Sequence, residues 1–335
     1  MILSIVAALV AFVLALLLGV PYIDFLKKKM LGQYIRDEAP ESHAKKGGTP
    51  TTGGVFLVTA GGLLGGFFLD SKTAAVLSAV VSLFMAEKTS TGAFLLLITF
   101  IFYMFAGFQD DAQKFAHHEN KGLSARGKLI LQIAIACLPV MFVTIGGRTF
   151  LTFGEYTLNL GYLYPIFGIF LITGVSNAVN LTDGLDGLAA SNMVISTAAL
   201  TIINLIMGNV DIAIICAAVM GACLGFLYFN KHPAKVFMGD TGSLALGGVL
   251  GTIAVMGKFE LWLIPIGIIY LTETLSVMLQ VTSFKLTGKR IFKMSPIHHH
   301  FELCGWNETK IVKVFTLINF IFCTGAVALF WYLNR

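Results

Sequence analysis

The sequence predicts an all-α integral membrane protein with about ten transmembrane helices. Of its 335 residues, 56% are hydrophobic and only 12% are charged, whereas soluble domains usually contain about 25% charged residues. The mean hydropathy is +0.83. A helix needs about 20 apolar residues to cross a bilayer, so the length allows ten such helices with short loops. We therefore expect one polytopic domain over residues 1–335, and neither a nucleic-acid-binding protein nor a secreted disulfide-rich one.

Apolar runs define the predicted spans. The ten runs cover residues 2–20, 53–69, 92–109, 128–146, 161–179, 188–207, 211–229, 243–257, 261–281 and 311–333. The stretch 74–86 is apolar but too short to cross, so we interpret it as an outer-surface helix or an extension of a span. The first run lacks the basic start and the cleavage site of a signal peptide and is interpreted as a retained anchor.

The distribution of basic residues predicts the orientation. Eighteen of the 23 Lys and Arg residues fall in the loops after odd-numbered spans, and only five lie on the other side. Because cytoplasmic loops are enriched in Lys and Arg, these loops are predicted to be cytoplasmic and both termini extracytoplasmic. On the outer side, residues 147–160 alternate β-branched and aromatic residues around Gly154-Glu155, which predicts a short hairpin.

Two adjacent carboxylates end the third span. Asp110 and Asp111 lie at its cytoplasmic end. Their mutual repulsion is tolerable if a divalent cation or another positive group lies between them and a substrate. They are therefore candidate catalytic residues. The alternative is that Asp-Asp followed by Lys114 only ends a helix at the membrane interface.

A second polar cluster, residues 177–187, joins spans 5 and 6 and contains no basic residue. Asn177 and Asn180 are three residues apart, as are Asp183 and Asp186, so each pair shares a face if the stretch is helical. The flanking glycines let backbone approach a ligand. Turn chemistry explains these residue types individually, but not their density at the end of a span.

The loop between spans 7 and 8 contains Gly239-Asp240-Thr241-Gly242-Ser243. Asp240 or Thr241 is predicted to be the N-cap of span 8. A helix start also offers N–H groups to an anion, and a carboxylate there can hold a hard cation. Helix capping alone is the alternative, and the missing GKS/T ending excludes a Walker A loop.

The last inner loop carries three consecutive histidines, His298, His299 and His300. Ser295 and Pro296 are predicted to be the N-cap and first residue of a short helix. The positive helix end there favours neutral imidazole, which can donate to a phosphate or carboxylate. A solvated basic loop touching anionic lipid is the stronger alternative, and zinc binding is disfavoured because adjacent side chains on a helix point apart.

Polar and basic residues elsewhere complete the pattern. Glu273 and Gln280 share one face of span 9, and intramembrane carboxylates usually face a polar interior. Glu273 is either part of a site or a structural partner of a neighbouring helix. Basic side chains are expected to surround the carboxylates, which suits binding of a metal-bound polyphosphate better than a pathway for a bare cation. These basic residues are Lys45, Lys46, Lys114, Lys121, Arg126 and Lys128.

Taken in order, the clusters contain five motifs: Thr49-Pro50-Thr51-x-Gly53-Gly54, Gly107-Phe108-x-Asp110-Asp111, Asn177-x-x-Asn180-Leu181-x-Asp183-Gly184-x-Asp186-Gly187, Phe237-Met238-Gly239-Asp240-x-Gly242-Ser243 and Pro296-x-His298-His299-His300. The series resembles the phospho-N-acetylmuramoyl-pentapeptide-transferases, multi-pass bacterial inner-membrane enzymes of the polyprenyl-phosphate N-acetylhexosamine-1-phosphate transferase superfamily. The carboxylate motifs look like the superfamily, and the triple-His motif looks like this branch.

The resemblance implies that undecaprenyl phosphate attacks the β-phosphorus of UDP-N-acetylmuramoyl-pentapeptide, with Mg²⁺ required, giving UMP and lipid I. It implies Asp240 as the metal ligand. Asp110 and Asp111 would position or deprotonate the lipid phosphate, or contribute to the metal site, and His299 is a further catalytic candidate. Residues expected in or near the nucleotide pocket are Lys114, Asp183, Asp186, Asn230 and Phe237. Those expected to bind or line the substrate cleft are Lys46, Thr51, Asn180, Gln280, His298 and His300, with Glu273 in the cleft wall.

Alternatives remain at this point. A sibling enzyme would transfer N-acetylglucosamine-1-phosphate, and a cation-coupled transporter would place its carboxylates near the membrane midplane. Compared with the family pattern, residues 70–91 form a longer outer connection and Gly47-Gly48 adds a residue after the lysines, so Lys45 is the alternative to Lys46. The sequence leaves a homodimer open as the assembly.

Overall fold

The computed structural model describes residues 1–28, 49–55, 57, 91–117 and 122–335. The helices are α1 (Ile2–Lys28), α2 (Thr91–His117), α3 (Ala125–Ile145), α4 (Tyr164–Thr182), α5 (Leu188–Ile206), α6 (Val210–Asn230), α7 (Gly239–Gly257), α8 (Leu263–Ile266), α9 (Ile268–Thr287), α10 (Ile297–Leu303) and α11 (Glu308–Leu333). A two-stranded sheet, β1 (Phe150–Phe153) and β2 (Tyr156–Asn159), lies between α3 and α4.

Eight of the described helices, α1 to α7 and α11, are long and apolar enough to cross a membrane. The chain is therefore a multi-pass membrane protein built from helices, as the composition predicts. The predicted second span lies outside the described residues except for its first few positions, and the apolar stretch 74–86 lies outside them entirely.

The predicted ninth span, residues 261–281, is interrupted. α8 ends at Ile266, Gly267 follows, and α9 is not among the eight candidate spanning helices. Pro265 has no N–H to donate to the helix ladder. The Ile266 carbonyl accepts from two side chains, Ser196 Oγ at 2.7 Å and Cys323 Sγ at 3.5 Å. Side chains of α5 and α11 thus stabilise the break.

The centre of the bundle is α7, whose residues from Thr241 to Met256 are all buried. It packs between α2 and α4. At Gly107 of α2, an added methyl group would collide with the Asp240 carbonyl, and at Gly247 it would collide with the backbone of α4. Small residues let helix backbones approach closely in membranes. The C-terminal ends of α2 and α4 therefore lie against the start of α7.

The predicted hairpin is confirmed. β1 and β2 pair antiparallel around Gly154-Glu155, with Phe153 opposite Tyr156.

A buried lysine lies beside this hairpin: Lys258 Nζ donates to Glu260 Oε1 at 2.6 Å and to Tyr164 Oη at 2.8 Å. Burial lowers the pKa of the Lys258 ammonium, and the Glu260 carboxylate opposes this shift.

Candidate active site

The start of α7 is capped by a carboxylate from another helix. Asp111 Oδ1 accepts the Asp240 N–H at 3.2 Å, and its Oδ2 accepts the Thr241 N–H at 2.9 Å and the Thr241 hydroxyl at 2.6 Å. The prediction that Asp240 or Thr241 is the N-cap is wrong, because α7 begins at Gly239 and both residues lie in its first turn. Exposed N–H groups at a helix start need acceptors, and Asp111 supplies them.

Asp240 contacts two ammonium groups and an amide. Its Oδ2 is 2.6 Å from Lys128 Nζ and 3.1 Å from Lys114 Nζ. Its Oδ1 accepts from Asn180 Nδ2 at 2.9 Å, and the same amide nitrogen is 2.8 Å from Ser243 Oγ. Helices α2, α3 and α4 therefore all contribute a side chain to this one carboxylate.

Lys114 also connects the other two carboxylates. Its Nζ is 2.6 Å from Asp110 Oδ2 and 3.7 Å from Asp111 Oδ1. Asp110 Oδ1 accepts the Leu123 N–H at 2.9 Å. Asp110 and Asp111 are only 3% and 4% exposed, and burying an unpaired carboxylate is costly. In their charged forms, three carboxylates and two ammonium groups leave one negative charge that attracts a further cation.

The donor set fits a hard divalent cation. One oxygen from each of Asp110, Asp111 and Asp240 can be chosen so that all three lie within 4.8 Å of one another. Carboxylate oxygens are the ligands that hard divalent cations prefer in proteins. We refer to this group as the carboxylate centre, which consists of Asp110, Asp111, Lys114, Lys128, Asn180 and Asp240.

Residues 50–54 pack beside the segment that leads into α7. The Phe237 N–H donates to the Pro50 carbonyl at 2.8 Å, and the Phe237 carbonyl accepts the Gly53 N–H at 2.9 Å. Gly239 has a φ of +71°, and a side chain there would collide with Thr51 Oγ1 and Asp111 Oδ2. Thr51 thus lies beside the carboxylate centre, whereas Lys46 lies outside the described residues.

Only the first half of the second polar cluster, residues 177–182, is helical. α4 ends at Thr182, and residues 183–187 form turns. Asp183 and Asp186 therefore do not share a helix face, while Asn177 and Asn180 both remain in α4. Gly184 and Gly187 explain the change, because glycine is a weak helix former and Gly187 has a φ of +81°.

Asp186 and Asn230 hold this turn against the loop after α6. Asp186 Oδ2 accepts the Ala234 N–H at 3.0 Å. Asn230 Oδ1 accepts the Gly187 N–H at 3.1 Å, and its Nδ2 donates to the Val236 carbonyl at 3.0 Å. Two predicted nucleotide-pocket residues thus fix loop geometry with their side chains.

The short helix predicted for the triple-His motif is present, but it begins one residue later than expected. α10 starts at Ile297, with Pro296 as its N-cap. His298 is fully buried, with Nδ1 3.1 Å from Glu273 Oε1. Its ring lies against Gly184, where a side chain would collide with it. Glu273 therefore pairs with a neighbouring helix, and α10 contacts the turn that follows α4.

The other two histidines point to different partners. His299 Nδ1 is 2.7 Å from Glu302 Oε2, and His300 Nδ1 accepts the Lys293 N–H at 3.1 Å. Gln280 fixes the preceding loop, since its Oε1 accepts the Phe292 N–H at 2.9 Å and its Nε2 donates to the same residue's carbonyl. The prediction that adjacent histidines point apart is wrong for His298 and His299, whose ring centroids are only 4.1 Å apart; the three rings nevertheless contact different acidic or backbone partners.

Lys128 was predicted only as one of several basic side chains around the carboxylates, and not as a site residue in its own right. Its position carried a signal: Ser124 is the N-cap of α3, so Lys128 lies near a helix start. The dipole disfavours a cation there, which indicates a specific anionic partner. That partner, Asp240, comes from a distant part of the chain.

Comparisons with known proteins identify the family of the chain. The model of the glycosyl transferase family 4 matches residues 93–258, which include the whole carboxylate centre. A phospho-N-acetylmuramoyl-pentapeptide-transferase of Clostridium beijerinckii is 48% identical over 96% of this chain and 95% of its own length. Relatives with the same name from Clostridium perfringens (strain 13 / Type A) and Geobacillus kaustophilus are 45% and 43% identical, over 97% and 95% of this chain and 98% and 95% of their own lengths. The chain belongs to the phospho-N-acetylmuramoyl-pentapeptide-transferase family.

Proposed function

We propose that this chain transfers phospho-N-acetylmuramoyl-pentapeptide from its UDP derivative to undecaprenyl phosphate, giving lipid I and UMP. The observation that carries the proposal is the carboxylate centre, in which two buried carboxylates, one partly buried carboxylate and two partly buried ammonium groups meet in a membrane protein of this family. In the reaction, a lipid-phosphate oxygen bonds to the β-phosphorus of the donor, and the bond from that phosphorus to UMP breaks.

Phosphoryl transfer depends mainly on positioning and charge neutralisation. Asp240 would hold Mg²⁺, with Asp110 and Asp111 as additional ligands or as the groups that position or deprotonate the lipid phosphate. Bound there, Mg²⁺ neutralises charge on the transferring diphosphate. Lys114 and Lys128 bring ammonium groups to the same point, and Asn180 orients Asp240 through its amide.

The remaining predicted residues would bind the extended donor. We assign Asp183, Asp186, Asn230 and Phe237 to the nucleotide pocket, and His299 to a catalytic or charge-neutralising role. The substrate cleft would include Lys46, Thr51, Gln280, His298 and His300. The contacts of Asp186 and Asn230 with neighbouring loops support a role in shaping that pocket.

We also propose ten spans in the bacterial cytoplasmic membrane, with both termini outside and the carboxylate centre at the cytoplasmic face. The excess of Lys and Arg in the odd-numbered loops supports this orientation. The meeting of the ends of α2 and α4 with the start of α7 supports one common face for the site.

UMP release tests the function. Purified protein is incubated with undecaprenyl phosphate, Mg²⁺ and either UDP-N-acetylmuramoyl-pentapeptide or UDP-N-acetylglucosamine. We expect UMP only from the first donor, and nearly none from the Asp240→Asn variant or in the presence of a chelator. Equal release from both donors would favour the N-acetylglucosamine sibling, and activity without metal would remove Asp240 from the mechanism.

A further inference from the structure

Glu308, the first residue of α11, joins two loops near the carboxylate centre. Its Oε1 accepts the Asp186 N–H at 2.5 Å, and its Oε2 is 3.2 Å from His232 Nδ1. His232 Nδ1 is also 3.0 Å from Asp186 Oδ2. A carboxylate is stabilised at the positive start of a helix. We refer to Glu308, His232 and Asp186 as the loop bridge.

The two bridged loops continue the segments that supply the carboxylate centre. Residues 183–187 follow the last turn of α4, which contains Asn180, and residues 231–238 lead directly into Asp240. Neither loop is helical or paired in a sheet. Side-chain contacts therefore help to set the position of each loop, and in the second loop they add to the backbone hydrogen bonds of Phe237 with residues 50–53. Since α11 packs against α5, Glu308 anchors both loops to the bundle through a helix that contributes nothing to the carboxylate centre.

The loop bridge is shielded from solvent on one side only. The Asp186 and Glu308 side chains are 3% and 11% exposed, whereas His232 is 43% exposed. Charge-assisted hydrogen bonds are stronger than neutral ones, and partial burial reduces their screening. The bridge is thus suited to hold the loops. Because the His232 ring is partly exposed, we expect the fold to tolerate its replacement.

We propose that Glu308 and His232 are positioning residues for the UDP end of the donor substrate. They fix Asp186 and its turn relative to Asp240, and they touch no reacting atom. The inference rests on the transfer reaction proposed above, in which Asp186 belongs to the nucleotide pocket. Without the bridge, donor binding must order the loop at an entropic cost, while the carboxylate centre keeps its own contacts.

Steady-state kinetics of Glu308→Ala, His232→Ala and the double variant test this role. We expect each single change to raise the KM for the UDP donor by about tenfold, with kcat and the KM for undecaprenyl phosphate changed less than about threefold. The double variant should resemble either single one, because residues of one network are not additive. Glu308→Gln keeps an acceptor for the Asp186 N–H and should give a smaller rise, which keeps the test usable if the alanine variant does not fold.

Asp211→Ala is the matched control, because Asp211 also lies in the first turn of a spanning helix, at the far end of α6 from the site. Its KM for the donor should equal that of the wild type. A fall in kcat with unchanged donor KM, or additive effects in the double variant, would overturn the positioning role. Failure of the wild type to release UMP would instead contradict the proposed function, so the two failures are distinguishable.

Discussion

At the scale of single residues, the adjacent carboxylates Asp110 and Asp111 have different structural tasks. Asp111 uses both oxygens to cap α7. Asp110 accepts one backbone N–H, from Leu123, and its other oxygen pairs with Lys114. Asp111 therefore holds the helices of the site together in addition to contributing negative charge, and the adjacent Asp-Asp pair in the sequence does not by itself reveal this difference.

Asp110→Asn and Asp111→Asn should both reduce kcat more strongly than they weaken donor binding, because both act on the transferring phosphate end and not on uridine. Asp111→Asn should also lower the unfolding temperature, because the amide keeps only one of the two oxygens that cap α7 and a lost hydrogen bond costs about 1 kcal/mol. Kinetics and thermal unfolding in detergent measure both effects. Weaker UDP-sugar binding with turnover intact would refute the roles, and equal stability of the two variants would argue against the capping task.

Lys128→Met should lower kcat by at least about tenfold, because it removes one of two ammonium groups that neutralise Asp240 and its surroundings. Arg126→Met, an exposed cation in the same helix turn, is the control and should retain most activity. UMP release at saturating donor compares the two. Similar activities for both variants would show that only the general positive charge of this region matters.

At the scale of elements, patterns local in sequence were predictable and contacts between distant segments were not. The apolar runs gave the described spanning helices, and alternation gave the hairpin. The break at Gly267 was missed because its stability depends on Ser196 and Cys323, from two other helices. The carboxylates of the carboxylate centre were predictable because polar residues are concentrated at the ends of spans. The capping of α7 by Asp111 was not predictable, because it requires α2 to lie against α7.

The three histidines of α10 should differ in their effects when replaced by alanine. His298 is fully buried beside Glu273, so His298→Ala leaves a cavity and an unpaired carboxylate and should be the most destabilising. His299→Ala and His300→Ala should leave the unfolding temperature nearer to that of the wild type and act mainly on turnover of the pentapeptide donor. Thermal unfolding and UMP release separate these outcomes, and identical losses in all three variants would contradict the different partners of the three rings.

At the scale of the whole molecule, the charge pattern and the meeting of helix ends predict one accessible face. Cysteine placed at Asp110, Asp183, Asp240 or His299, in a variant without the five native cysteines, should react with an impermeant thiol reagent only in inverted vesicles. The outer position Glu155, in the turn of the hairpin, is the control and should react only in right-side-out vesicles. Labelling of any of the four site positions in sealed right-side-out vesicles would contradict the ten-span orientation.

Mass spectrometry of the lipid product tests the transfer reaction itself. Wild-type protein, undecaprenyl phosphate, Mg²⁺ and UDP-N-acetylmuramoyl-pentapeptide should yield undecaprenyl diphosphate carrying N-acetylmuramoyl-pentapeptide, with UMP in equal amount. The Asp240→Asn variant, folded as judged by its unfolding temperature, should yield almost none. A lipid product of different mass, or the same product from the folded Asp240→Asn variant, would contradict the assignment of this reaction to the carboxylate centre.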